Sequence, residues 1–239
     1  MTGAIEKTEG EKTEPSTHRN DAPAPWWRSP FVLVAAACVG LMYVFLHLAS
    51  EVAEHDMRAF DRAVRDWVFA HRPPWLVSVF GVVTLLGDRN TLVIGAAIVA
   101  LILARGGARL RLLLVVALPF CLAATARLLR MWYQIPRPPE GLISSGLVFG
   151  FPSGHTSEAT AMALVIGYVL ARERRAQRLG WTIALTVPLA VGTSRLFLDM
   201  HWASDVLGGW LLGATYAVAV CALYEQALRR ARNKSRVRT

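Results

Sequence analysis

Apolar residues in this chain gather into long blocks instead of alternating with polar ones. Six blocks stand out, at 31–49, 92–104, 112–129, 156–171, 180–198 and 203–224, and each carries almost no charge. Runs of this kind predict helices that cross a bilayer. In lipid, a lone segment satisfies its backbone hydrogen bonds internally only as a helix.

Between the first two blocks the pattern changes. Residues 51–72 hold acids and bases in near balance, with Val52, Phe60, Val64, Trp67 and Val68 at partly helical spacing among them. That predicts an amphipathic helix lying on the membrane or covering the bundle, ended by Pro73-Pro74. Residues 75–87 are apolar but too short for a full span, so an interfacial or re-entrant segment is expected there. Pro188, inside the fifth block, is tolerated as a kink. The expected fold is all-α, a six-transmembrane helical bundle with an amphipathic interfacial helix after the first span. A polar tail at 1–29, ending in Trp26 and Trp27, precedes a membrane domain at 30–228, and a basic tail at 229–239 follows it. The tail has the composition of a disordered segment. The first apolar block reads as a signal anchor and not as the core of a cleavable signal.

Composition sharpens this picture. The chain has 239 residues, 54% of them hydrophobic, and a mean hydropathy of +0.38. That exceeds the apolar content of ordinary soluble domains. The net charge of +9 would suggest nucleic acid in a soluble protein. Here the basic residues concentrate at 105–111, at 172–178 and in the C-terminal tail. Six spans put those three segments and the N-terminus on one side, which the bias of Lys and Arg toward cytoplasmic loops makes the cytoplasm. Nucleic-acid binding is therefore not expected. Cys38, Cys121 and Cys221 all fall inside apolar blocks and fit neither a disulfide framework nor a zinc site.

The opposite face collects the unusual polar residues. One segment carries Arg130, Arg137-Pro138 and then Pro152-Ser153-Gly154-His155 at the start of the fourth block. The other carries Ser194-Arg195, His201 and Asp205. Singly each has a bland explanation: interfacial arginines, Ser153 as a helix N-cap, and His201 with Asp205 as an i,i+4 hydrogen-bonded pair. Together they put two histidines, three arginines and an aspartate on one membrane face, where ionisable groups are functional suspects. Three guanidiniums match the oxygens of a phosphate. The amides opening the fourth block, with Gly154 permitting close approach, add donors where the helix dipole favours an anion. One histidine can attack phosphorus, the other can protonate the leaving oxygen, and the aspartate can orient the attacking ring. Phosphoryl transfer needs little beyond such positioning and charge stabilisation.

These three segments resemble the signature of the type 2 phosphatidic acid phosphatase superfamily: Lys-x6-Arg-Pro, Pro-Ser-Gly-His, and Ser-Arg-x5-His-x3-Asp. Arg137-Pro138, Pro152 to His155, and Ser194, Arg195, His201 and Asp205 match it. The resemblance runs from about Gly87-Asp88 to the sixth block and leaves the first 75 residues aside. It implies a lipid phosphatase in which His201 is the nucleophile forming a phosphohistidine. Asp205 orients His201, and His155 is the general acid and later the base. Arg130, Arg137, Arg195, Ser153 and Gly154 bind the phosphate. It implies no cofactor and no metal, and a phosphatidate, phosphatidylglycerophosphate or polyprenyl diphosphate substrate. The setting expected is a bacterial inner membrane, with the site on the extracytoplasmic face. Oligomeric state is left open.

The chain departs from the signature at Arg130, where the family has Lys. Asp199, two residues before His201, adds a negative charge that is expected to face solvent, the alternatives being that it pairs with an arginine or raises the histidine pKa. Alternatives are a lipid-to-lipid phosphotransferase using the same intermediate and a non-catalytic lipid-binding relative. A metal site at His155, His201 and Asp205 is disfavoured because three arginines repel a cation. A haloperoxidase is disfavoured because those relatives are soluble.

Overall fold

The computed structural model describes residues 30–104, 109–139, 149–172 and 174–236. The tail with Trp26 and Trp27, most of the basic segment 105–111, the middle of the 130–154 segment and the last three residues lie outside the described residues. The architecture is helical, as the blocks predict. In chain order the helices are α1 (Pro30–Ala53), α2 (Arg58–Ala70), α3 (Pro74–Val83), α4 (Arg89–Ala104), α5 (Arg109–Tyr133), α6 (Gly154–Ala171), α7 (Gln177–Phe197) and α8 (Ala203–Arg236). A 3-10 turn, Thr84–Gly87, joins α3 to α4.

Each long apolar block lies on one long helix. Among the described residues two segments are by themselves long and apolar enough to cross a membrane, Val32–Ala53 and Ala203–Arg229. The pair Arg58–Ala70 and Pro74–Gly87 meets that description only jointly, across a bend of 117°. The bend sits at Pro73-Pro74, where the missing amide hydrogens and fixed φ end α2. The expected 51–72 helix is thus two pieces. Its first residues finish α1, and the remainder is the strongly amphipathic α2, which packs on α7 and α8.

Helix α6 is the centre of the bundle, packed mainly against α7 and α8, with α1 packed on α8. Small residues let these helices approach closely. A Cβ on Gly167 would lie 2.5 Å from the Gly180 carbonyl, so α6 and α7 nearly touch backbones. Trp210 on α8 donates its indole N–H to the Pro188 carbonyl on α7 at 2.9 Å. Thr125 on α5 hydrogen-bonds Tyr216 on α8 at 2.6 Å. At the foot of α6, Tyr168 and Arg172 both bond Glu225 of α8.

The helices overrun their apolar blocks at the polar face. Arg130 is in the last turn of α5, and Ser194 and Arg195 are in the last turns of α7, so helices hold these two guanidiniums, while Arg137 lies in the segment after α5.

Candidate active site

The chain between α5 and α6 returns to the bundle through a short pairing. Pro136 bridges Phe149, and the Gly150 amide donates to the Ile135 carbonyl at 2.7 Å. Phe151 is fully buried, stacked on Phe45 and edge-on to Tyr133. That anchor, followed by a cis Phe151-Pro152 peptide, sets the start of α6. Ser153 occupies the N-cap position, but its side chain does not cap the helix. Its hydroxyl accepts a hydrogen bond from Thr156, and its amide donates to the Asp205 carbonyl at 3.0 Å. The α6 start is thereby tied to the α8 start.

His201 lies in the link between α7 and α8. Its Nδ1 sits 3.1 Å from Asp205 Oδ2, and both side chains are buried. The same Oδ2 accepts the Trp202 amide at 3.0 Å. This carboxylate both caps the first turn of α8 and fixes the imidazole, leaving Nε2 as the ring nitrogen free to react. Gly150 makes room for it, since a Cβ there would lie 2.5 Å from Oδ2. Burial, and after it Arg137 and Arg195, pushes the His201 pKa well below its ordinary 6.5. The ring is therefore neutral at neutral pH.

A cavity of about 560 Å³ brings the expected residues together. His155, His201, Arg130, Arg137, Arg195 and Gly154 all line it. Ser153 and Asp205 lie behind this lining, fully buried. Arg195 is 3% exposed, and its Nη1 donates to the Thr84 hydroxyl at 2.8 Å, while its buried Nε has no acceptor among the described residues. Arg137 donates through Nε to the Phe149 carbonyl, 3.2 Å away, and Arg130 through Nη1 to the Pro152 carbonyl, also 3.2 Å away. A Cβ at position 154 would stand 3.0 Å from that same Nη1, so glycine keeps the α6 amides open to a ligand. The cavity thus presents the guanidiniums of Arg89, Arg130, Arg137 and Arg195, two imidazoles and a helix N-terminus, a setting made for a multiply charged oxyanion.

The structure adds residues that sequence reasoning passed over. Thr84, Gly87, Asp88, Arg89 and Asn90, from the 3-10 turn and the start of α4, form a further wall of the cavity, with Glu158 of α6. Glu158 is the one charge in the 156–171 block, a signal that an intramembrane carboxylate ordinarily carries. Asp199 is corrected. It does not face solvent but is 1% exposed and paired with Arg65 of α2.

The family model of the PAP2 superfamily matches residues 67–229. The chain belongs to the PAP2 superfamily. Among curated PAP2 relatives, phosphatidylglycerophosphatase B of Bacillus subtilis is 29% identical over 205 residues, covering 82% of this chain and 98% of that one. Decaprenylphosphoryl-5-phosphoribose phosphatase of Mycobacterium tuberculosis is 33% identical over 105 residues, covering 42% of this chain and 54% of its own length. A solved structure, described as the first transmembrane PAP2 type phosphatidylglycerolphosphate phosphatase from Bacillus subtilis, superposes with a TM-score of 0.66 at 28% identity. It covers 80% of this chain and 96% of that one. The helical architecture is that of a transmembrane PAP2 protein.

Proposed function

We propose that this protein is an integral membrane lipid phosphatase that cleaves a phosphoric monoester or diphosphate through a phosphohistidine on His201, without a metal. The observation that carries the reading is the single cavity lined by His155, His201, Arg130, Arg137 and Arg195. Its relatives' names, phosphatidylglycerophosphatase B and decaprenylphosphoryl-5-phosphoribose phosphatase, support a lipid phosphate as the substrate class.

The chemistry follows from the geometry. The guanidiniums and the α6 amides hold the phosphoryl oxygens. Asp205 accepts the Nδ1–H of His201, so Nε2 attacks phosphorus and forms the P–N bond. The P–O bond to the leaving group breaks, and His155 gives its proton to the departing oxygen. In the second half His155 takes a proton from water. The hydroxide attacks phosphorus, the P–N bond breaks, and phosphate leaves with His201 restored. Cationic side chains supply the charge stabilisation that a metal supplies elsewhere, and they repel a divalent cation.

All six long helices cross the membrane in this reading. The α6 helix, 18 residues long, runs from Gly154 at the site to Ala171 beside the basic segment at 172–178. At a rise of about 1.5 Å per residue it spans about 27 Å, close to the hydrocarbon thickness of a bilayer. The basic segments then mark the cytoplasmic side, and the site opens on the extracytoplasmic face of a bacterial inner membrane.

The test is phosphate release by purified protein from phosphatidylglycerophosphate, phosphatidate and a polyprenyl diphosphate. The expected result is release from at least one, loss of release in His201→Ala, and an acid-labile label on wild-type protein quenched with radioactive substrate. Folded protein that releases phosphate from none of them overturns the proposal.

A further inference from the structure

The lining of the active-site cavity holds acids as well as bases, and one of the acids is not explained by phosphate binding. Beside the guanidiniums and imidazoles, Asp88, Arg89, Asn90 and Glu158 line it. Asp88 already has work within the fold, since its Oδ1 accepts the Asn90 amide at 2.9 Å and caps the start of α4. Glu158 does not. It is 5% exposed, lines the cavity, and makes no hydrogen bond or ion pair with any described residue. Arg89, Arg130 and Asp88 act on it only through space.

A carboxylate inside an apolar helix is costly unless something hydrogen-bonds it. The described residues supply no donor, and the side chain borders the space a substrate enters. A phosphate dianion repels it, so its partner belongs to the leaving group. Glu158 stands one turn along α6 from His155, the residue that protonates the leaving oxygen. Residues three apart on a helix are neighbours, with Cβ atoms about 5–6 Å apart. That is the reach of two carbon atoms followed by one hydrogen bond. A hydroxyl on the carbon next to the phosphoester carbon fits. The fully esterified glycerol of phosphatidate and the hydrocarbon of a polyprenyl chain have no such group.

We propose that Glu158 is a specificity-determining residue that accepts a hydrogen bond from a free hydroxyl of the leaving group, selecting lipids whose terminal phosphate sits on a polyol. This rests on the lipid phosphatase reading above and names its substrate class. The hydroxyl's donation to a buried carboxylate is charge-assisted, so a substrate lacking it leaves that group desolvated and unpaired.

The experiment compares kcat/KM for phosphatidylglycerophosphate with that for the same lipid built on 1,3-propanediol phosphate, which lacks only the central hydroxyl. Wild type is expected to prefer the hydroxylated lipid by about tenfold or more. Glu158→Leu, similar in size and at home in an apolar helix, and Glu158→Ala are expected to bring the ratio to within about twofold. Equal rates on the two lipids by wild type overturn the proposal and need no variant. So does a preference that survives in either variant. If wild type hydrolyses phosphatidate or a polyprenyl diphosphate but neither polyol lipid, the selectivity fails while the phosphatase reading stands. If it hydrolyses none of the four, the phosphatase reading fails as well.

Discussion

Arg65 grips Asp199 with both arms of its guanidinium: Nε meets Oδ1 at 2.8 Å and Nη2 meets Oδ2 at 2.8 Å. The pair joins α2, which follows the first long helix, to the link that carries His201. Asp199 adopts a left-handed backbone, φ 53°, which a non-glycine residue holds at some cost. Two further contacts reinforce the grip. Arg72 donates to the Phe197 carbonyl at 3.3 Å, and Asp61 accepts both the amide and the hydroxyl of Ser204, at 2.8 and 2.7 Å. Asp61 and Arg65 precede the span matched by the family model, which begins at residue 67.

Arg65→Ala leaves the Asp199 carboxylate buried beside a strained backbone. Removing one partner of a buried pair costs about 3–5 kcal/mol, and the partly exposed Arg65 side chain places this case at the lower end, about 3 kcal/mol. Thermal unfolding in detergent is the measure. Because the link holds His201, kcat is expected to fall with little change in KM. Arg65→Lys, which keeps the charge without the fork, is expected to recover only part of both losses.

The Asp61 bonds act on the first turn of α8, whose amides need acceptors that its own helix cannot supply. Asp61→Ala and Ser204→Ala are each expected to destabilise the protein by about 1–3 kcal/mol. The two substitutions touch one hydrogen-bonded unit, so the double variant is expected to lose much less than the sum. Additive losses in a double-mutant cycle would show the contact to be energetically idle.

How legible was this site beforehand? The six apolar blocks set the long helices, because an uncharged run of that length has few other stable forms in lipid. Arg130, Arg137, His155, Arg195 and His201 were readable as a set, since their spacing matches a three-part signature and they converge on one cavity. Arg65–Asp199 was not. The two residues are 134 positions apart, and an amphipathic helix that lies on the membrane or covers the bundle does not say which of its charges meets a partner until α2 is seen docked on α7 and α8. Asp199 was expected in solvent for the same reason: a charge reads as exposed when its partner is distant in sequence. Gly150 was equally silent, because its need comes from Asp205 alone.

Acid should act on the fold through His201. Burial and the neighbouring arginines hold its folded pKa well below 6.5, while the unfolded chain titrates near that ordinary value. Below about pH 6.5 the unfolded state takes up a proton that the folded state refuses. The stability this group contributes is complete above that pH and declines as pH falls. His201→Asn removes the titrating ring, so its stability is expected to fall less steeply between pH 7 and 5 than that of wild type. Unfolding temperatures across that range compare the two slopes.

Arg130 stands where the family signature has lysine, and its Nη1 reaches the Pro152 carbonyl just before α6. In the proposed mechanism Arg130→Lys keeps the charge at the phosphate and gives up that tether, so turnover is expected to stay within about tenfold of wild type or to rise. Arg130→Ala removes a charged donor from the phosphate and is expected to lower kcat by about 10²–10³-fold. Equal losses from both substitutions would mean that the fork, and not the charge, is what the site uses.

Asp205→Asn separates orientation from charge at the nucleophile. The aspartate Oδ2 accepts from the His201 ring and from the Trp202 amide, and its Oδ1 is buried without a partner among the described residues. An amide of the same shape fits the space that Gly150 leaves, so the fold is expected to survive. An asparagine whose carbonyl takes the place of Oδ2 keeps both bonds and loses only the charge, whereas one that turns over sets its NH₂ against Nδ1 and strands the Trp202 amide. In the second arrangement His201 must carry its proton on Nε2, the nitrogen that attacks phosphorus in the proposed mechanism. The nucleophile is then in the wrong tautomer, and kcat is expected to fall by roughly 10⁴-fold, the loss such a change causes in a hydrolytic triad. The first arrangement keeps the tautomer and is expected to cost far less. Phosphate release measured beside an unchanged unfolding temperature is the check. A variant that turns over within tenfold of wild type would show that an uncharged acceptor on Nδ1 suffices and that the charge of Asp205 is not needed.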